Sequence, residues 1–257
     1  IKGKATLQSG TSISLSDRKE VVEAGHIILA TGARTRPLDS LPLDGEVVIT
    51  SREALESKEL PDSVVIVGGG ATGCEFAYIY NSYGVDVTIV ELMPHLLPNE
   101  DQDVSEALER SFIRQGIKLL LGCKVQNVSR EGDGAVLTVE GPKGEEKLNC
   151  GRVLVAVGVQ ANSDNLGLEE VGIATDRGFI KINEQMRTNV PTVSAIGDVT
   201  GKLLVAHVAS AQGVTAVEIL AGLEPPALDY QFMPGAVYCQ PQVTSFGMSE
   251  QRAKETG

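Results

Sequence analysis

The chain has 257 residues, 42% hydrophobic and 22% charged, with 28 glycines and a net charge of -12. That length supports one large or two ordinary domains around a sizeable core. The acidic balance argues against nucleic acid or an anionic membrane as partner, and no apolar run approaches the ~20 residues that cross a bilayer.

Cys74, Cys123, Cys150 and Cys239 are widely spaced, with no C-x-x-C or C-x-x-x-x-C pair. They read as small buried residues in a reducing, cytoplasmic setting rather than as a disulfide scaffold. His26, His95 and His207 share no metal-ligand spacing with them, so no metal is expected. The chain opens Ile1-Lys2-Gly3 without an initiator methionine, which suggests a piece of a longer protein.

Before Pro61 the residues alternate in short strand-like stretches. The clearest, Gly25 to Ala30, ends in Thr31-Gly32-Ala33, as a buried strand does when its C-terminal end opens on a ligand crevice. Arg36-Pro37 and Leu41-Pro42 mark an irregular connection, and a short helix follows with Thr50 or Ser51 as its cap.

The most informative stretch comes next. The apolar run Val64-Val65-Ile66-Val67 leads into Gly68-Gly69-Gly70-Ala71-Thr72-Gly73, then a helix from about Ala71 to Ser82 stopped by Gly84. A second apolar run from Val87 ends on Glu91, 18 residues beyond Gly73. Each part has a physical task in holding a dinucleotide. Gly68 permits the tight turn, Gly70 lets a pyrophosphate approach bare main chain, and Gly73 lets the helix pack against the strand. A carboxylate at Glu91 accepts hydrogen bonds from a ribose 2′-hydroxyl and repels a 2′-phosphate, which favours NAD over NADP. The plain alternative is a glycine-rich turn with no ligand.

Asp101 to Arg114 reads as an amphipathic helix with Val104, Leu108 and Phe112 on one stripe, and Ile117 to Leu121 as a third strand. Lys124 to Val128 and Ala135 to Val139 form a hairpin across Gly132-Asp133-Gly134, and Arg152 to Gly158 is another buried strand. The segment Thr188 to Asp198 holds an apolar strand that ends at Gly197-Asp198, and a helix runs from Leu204 to Leu220 with Gly222 as its stop. A free helix N-terminus beside the Asp198 carboxylate suits a cofactor with an electron-rich ring and a polyhydroxyl tail; the plain alternative is a simple turn.

Together these segments resemble the flavin-dependent pyridine nucleotide-disulfide oxidoreductases, most closely their dihydrolipoamide dehydrogenase branch, over nearly the whole chain. The resemblance rests on Ile27 to Ala33, Gly68 to Glu75, Val155-Ala156-Val157-Gly158, Ala195-Ile196-Gly197-Asp198, Leu204-Val205-Ala206-His207 and the tail from Val237. It implies an α/β fold of three-layer ββα FAD/NAD(P)-binding (Rossmann-like) type, with a complete NAD domain inserted in an incomplete FAD domain. The implied division is 1–60 for the second half of the FAD domain and 61–181 for the NAD domain. Residues 182–228 then return to the FAD domain, and 229–257 begin the dimerisation domain.

The resemblance further implies that Gly68, Gly69, Gly70, Gly73, Glu75, Glu91, Val125 and Gly158 hold NAD. Thr31, Gly32, Asp198 and Leu204, Val205, Ala206 and His207 would hold FAD, with Gly3 at its adenosine part. Glu75 would line the space between nicotinamide and flavin; its plain role is compensation of the helix dipole. The implied chemistry takes electrons from a dihydrolipoyl dithiol through an enzyme disulfide to FAD and on to NAD. Implied partners are the dihydrolipoyl domain of a 2-oxo acid dehydrogenase complex or glycine cleavage system, and a second copy in a homodimer.

The departures are specific. Ala71 and Thr72 stand where relatives carry larger groups, Val159 to Asn162 replaces Arg-x-Pro-Asn, and Gln212 replaces a glutamate. The family's first glycine loop, its C-x-x-x-x-C disulfide and its C-terminal His-Glu pair have no counterpart here. The chain alone is therefore expected not to turn over dihydrolipoamide. Two other readings stay open: another flavoprotein reductase, such as a mercuric reductase or NADH oxidase, and a non-catalytic NAD-binding module.

Overall fold

The computed structural model describes residues 1–16 and 20–257. The chain divides into two compact units, Ile1–Arg34 with Val159–Met233 and Thr35–Gly158 with Pro234–Gly257.

The second unit is built on a five-stranded parallel sheet. Its strands lie in the order Val48–Ile49, Arg152–Val155, Ser63–Val67, Asp86–Glu91, Lys118–Leu121. The apolar runs are unbroken because both faces of the sheet are covered, so side chains of either parity are buried. Val64, Ile66, Val87 and Ile89 share a core with Cys74 and Ala77 of helix Ala71–Ser82 and with Leu108 and Phe112 of helix Gln102–Arg114. Val65, Val67, Val90 and Val153 belong to a second core with Val125, Leu137 and Val139. Those three come from the antiparallel meander Lys124–Glu131, Gly134–Gly141, Gly144–Cys150. Helices, parallel sheet and meander make the three ββα layers.

Local signals explain where the elements stop. Gly84 takes φ 83° after helix Ala71–Ser82 and donates its N–H to the Asn81 carbonyl at 3.0 Å. Thr50 caps helix Ser51–Glu56 in a capping box, with Glu53 Oε2 accepting from the Thr50 N–H at 2.8 Å. The hairpin turn is tighter than the sequence suggests: Glu131 pairs with Gly134, leaving only Gly132 and Asp133 in the loop. The third meander strand, Gly144–Cys150, was not foreseen, because its outer residues Gly144 to Lys147 are polar and exposed.

The compact units do not divide at the expected boundaries. The chain is already in the second unit at Thr35, well before residue 61, because Val47 and Val48 join its core and Val48–Ile49 pairs with Val153 and Leu154. It leaves at Gly158 rather than 181. The tail belongs to this unit from Pro234. Its hairpin Gly235–Val237 with Val243–Ser245 contributes Val237 and Val243 to the core shared with helix Ala71–Ser82.

In the first unit the strands Ile27–Leu29 and Val193–Ala195 pair in parallel. An antiparallel sheet, Ala5–Ser9, Ser12–Leu15 and Glu20–Glu23, and helix Ala206–Leu220 complete its main elements. Its core gathers Leu7, Ile27, Leu29, Ile180, Val193 and Val199. The strand expected to end at Gly197-Asp198 is Val193–Ala195, preceded by a turn that Thr188 Oγ1 closes on the Val190 and Val193 carbonyls. The last helix begins at Ala206 rather than Leu204. Among the described residues no helix is long and apolar enough to cross a membrane.

Candidate functional site

Strand Ser63–Val67 delivers the backbone to the glycine turn, and the four glycines differ in what constrains them. Gly68 sits at φ 111°, and a Cβ there would land on the Ala156 carbonyl of the neighbouring strand's extension. A Cβ at Gly73 would land on the Gly68 carbonyl, so this residue sets how closely the helix seats on the turn. At Gly69 the obstacle is Leu96 Cδ2, 2.6 Å away. Gly70 is the exception: it has ordinary φ of -74° and open space where its Cβ would be. It is also the N-cap of helix Ala71–Ser82, and no side chain caps that end. The first-turn N–H groups are therefore left for an external acceptor.

Glu91 lies at the C-terminal end of the adjacent strand, only 8% exposed. Its Oε2 accepts the Gly69 N–H and its Oε1 accepts the Met93 N–H at 2.7 Å. The carboxylate thus ties the glycine turn to the loop that follows its own strand, and each oxygen keeps a lone pair for a further donor. That loop is fastened a second time where Leu97 N–H donates to the Gly69 carbonyl at 2.8 Å.

A cavity of about 490 Å³ opens over this edge of the sheet. Gly68, Gly70, Glu91, Val125 and Gly158 all line it, five of the expected nucleotide residues brought together from separate parts of the chain. Gly69 and Gly73 are not among its lining residues, and their close contacts lie within the turn and the loop behind it. Glu75 does not line the cavity. Its Oε1 accepts the Tyr238 N–H at 2.9 Å, anchoring the tail hairpin.

Arg36, Leu38, Met93, Pro98 and Lys124 also line the cavity and were missed by sequence reasoning. They lie in irregular chain or at a strand's first residue, where no periodic pattern marks a position. Lys124 alone had a cue, as the neighbour of Val125.

In the first unit the pairing of Leu29 with Ala195 sets Thr31-Gly32 and Gly197-Asp198 at one end of the strand pair. Thr31 Oγ1 donates to the Asn162 carbonyl at 2.7 Å, and Asn162 returns bonds to the Thr31 and Gly32 carbonyls. Gly197 N–H donates to Gln212 Oε1 at 2.6 Å, while Gln212 Nε2 donates to Tyr230 Oη at 3.0 Å. The amide at Gln212 therefore serves as acceptor and donor at once, and only the first would be met by a glutamate carboxylate. Burial pushes the Asp198 carboxyl above the usual carboxylate range. Helix Ala206–Leu220 starts from Val205 without a side-chain cap, leaving Ala206 and His207 in its first turn. Gly3 is exposed ahead of strand Ala5–Ser9, and no hydrogen bond among the described residues draws it to this end.

The second unit, with its glycine turn at the C-terminal edge of a parallel sheet and an acid closing the next strand, defines a Rossmann-like α/β protein. Comparison with known proteins narrows the class. The profile of the family described as pyridine nucleotide-disulphide oxidoreductase matches residues 1–213, and the chain belongs to that family.

A dihydrolipoyl dehydrogenase of Mycobacterium leprae is 48% identical over 238 residues, 92% of this chain and 51% of that one. Its counterpart in Chlorobaculum tepidum is 46% identical over 262 residues, 100% of this chain and 56% of that one. Among solved structures, LpdA from Mycobacterium tuberculosis has a TM-score of 0.89 at 31% identity, covering 100% of this chain and 57% of its own. The HOCl-induced flavoprotein disulfide reductase RclA from Escherichia coli has 0.88 at 28%, covering 100% and 59%. The chain thus spans about half the length of the relatives it matches.

Proposed function

We propose that the Thr35–Gly158 unit binds NAD, and that the chain is the nucleotide-binding part of an NAD-dependent, FAD-containing dihydrolipoyl dehydrogenase. The observation that supports this best is the contrast among the glycines. Three are demanded by packing or by the loop behind them, whereas Gly70 faces empty space beside an uncapped helix end. Bare main chain beside free first-turn N–H groups is what a bound pyrophosphate requires.

NAD, when bound, supplies a two-electron acceptor; the protein's share is placement. Gly70 and the first-turn N–H groups of Ala71, Thr72 and Gly73 would hold the pyrophosphate. Glu91 would accept the adenosine ribose hydroxyls, and Val125 and Gly158 would flank the rest of the ligand. In the other unit Thr31, Gly32, Asp198 and Leu204 to His207 would hold FAD, with Gly3 at its adenosine part. Asp198 fits an acceptor for polyhydroxyl groups, since its half-buried carboxyl makes no ion pair among the described residues.

For the whole protein this reading gives oxidation of a dihydrolipoyl group, carried by a domain of a 2-oxo acid dehydrogenase complex or glycine cleavage system, by a cytoplasmic homodimer. The chain by itself is not expected to perform it. Its four cysteines are free and buried, and burial raises the thiol pKa of each, to about 11 at Cys150 and Cys239. Such thiols make poor thiolates and poor nucleophiles. Titration of the purified chain with NADH, followed by fluorescence, tests the first half of the proposal. Flavin absorbance of the same sample tests the second.

A further inference from the structure

The nucleotide cavity carries a charge pattern opposite to that of the chain. The protein as a whole has a net charge of -12, and its field opposes any anionic ligand. The charged residues lining the cavity, however, are Arg36, Lys124 and the single acid Glu91. Both Glu91 oxygens are already turned to backbone N–H groups.

Lys124 opens strand Lys124–Glu131, and its cross-strand partner is Glu140. A lysine opposite a glutamate normally spends its charge on that neighbour. Here the strand is irregular between Val125 and Asn127, and Gln126 reaches Glu140 instead, its amide donating to the carboxylate. Lys124 takes part in no ion pair among the described residues. Arg36 reaches the same cavity from the connecting segment, its backbone N–H fixed to the Gly158 carbonyl at 3.0 Å.

We infer that Arg36 and Lys124 are the cationic half of the cavity, engaging the phosphates of the bound dinucleotide and offsetting the chain's own repulsion. This rests on the NAD reading above and adds to it two positioning residues outside the glycine turn. Among the described residues Glu91 is then the one acid lining the cavity that opposes an extra phosphate, while two cations of the same lining would welcome one.

The test compares R36Q, K124Q and the double variant with the unsubstituted chain. NADH, ADP-ribose and adenosine are the ligands, and affinity is measured by calorimetry at two ionic strengths. Both side chains are exposed, so the folded state is retained, and R36K and K124R serve as charge-preserving controls. Each charge-removing variant is expected to bind NADH and ADP-ribose about 5-fold more weakly, with a shallower salt dependence. Adenosine affinity should change less than about 2-fold, and the controls should keep most of the affinity. Equal losses for adenosine and ADP-ribose, or no loss for either, would overturn the inference while leaving the NAD reading intact. An unsubstituted chain that binds no NADH would overturn both.

Discussion

The Glu91 carboxylate accepts the Gly69 N–H across the mouth of the parallel sheet, so the acid that would read the ribose also fixes the turn that would hold the phosphates. These two roles are separable by substitution. Glu91→Ala leaves the Gly69 and Met93 N–H groups without their acceptor, at a cost of about 1–3 kcal/mol, measurable by urea unfolding. Glu91→Gln keeps the volume and one acceptor and should cost less stability. It removes the negative charge, so the preference for NADH over NADPH should narrow in binding titrations. If Glu91→Ala unfolds at the same urea concentration as the unsubstituted chain, the carboxylate does not hold the turn.

The glycines make a paired test. Gly68→Ala forces a side chain into positive φ and onto the Ala156 carbonyl, where rigid backbone has no room to yield. It should destabilise the protein by at least about 3 kcal/mol. Gly70→Ala meets open space at ordinary φ. Its unfolding free energy should stay within about 0.5 kcal/mol of the original, while NADH affinity falls at least about tenfold. A Gly70→Ala protein that binds NADH normally would remove the pyrophosphate from this position.

How much of this was readable beforehand differs between elements for physical reasons. Helix Ala71–Ser82 and the strands before and after it were legible because buried parallel strands write unbroken Val/Ile runs and the glycine turn punctuates them. The antiparallel partner Gly144–Cys150 was not, since Gly144 to Lys147 are exposed and carry no apolar alternation. The boundary at Thr35 was hidden for a similar reason. A strand of two residues, Val48 and Ile49, with Val47 ahead of it, ties the preceding segment to this sheet. Pro61 was the louder signal and the less relevant one. Gly68, Gly70, Glu91, Val125 and Gly158 sit on regular elements or their ends and line the cavity, whereas Arg36 and Met93 reach it from irregular chain. Glu75 shows the converse: its place in the helix was read correctly, but its hydrogen bond to Tyr238 depends on a tail 163 residues away.

The Asp198 carboxyl gives a pH dependence of definite sign. Burial raises its pKa in the folded state above the unfolded value, roughly 3.9 for a free aspartate. Below that unfolded value both states are protonated and folding pays no penalty for the group. As pH rises through the folded pKa, the folded state must ionise a half-buried carboxyl and stability is lost. Asp198→Asn should therefore match the unsubstituted chain at acidic pH and melt at a higher temperature at neutral pH. An equal difference at all pH values would contradict this. The same asparagine should weaken any flavin binding, because a carboxylate acceptor is replaced by a neutral amide.

Thiol labelling tests the expectation that no cysteine acts as a nucleophile. All four are free and buried, and burial raises each thiol. A disulfide reagent at mildly alkaline pH should label none in the native chain within minutes, and all four once urea unfolds it. Rapid native labelling of one would identify a reactive thiol and reopen the question of catalysis by this chain.

The central claim is tested most directly by equilibrium binding of NADH and NADPH to the purified polypeptide at one fixed salt concentration. The account predicts saturable NADH binding, with NADPH at least about tenfold weaker, because the buried Glu91 carboxylate would face the ribose 2′ position. NADPH binding as tightly as NADH, or neither binding at all, would contradict it.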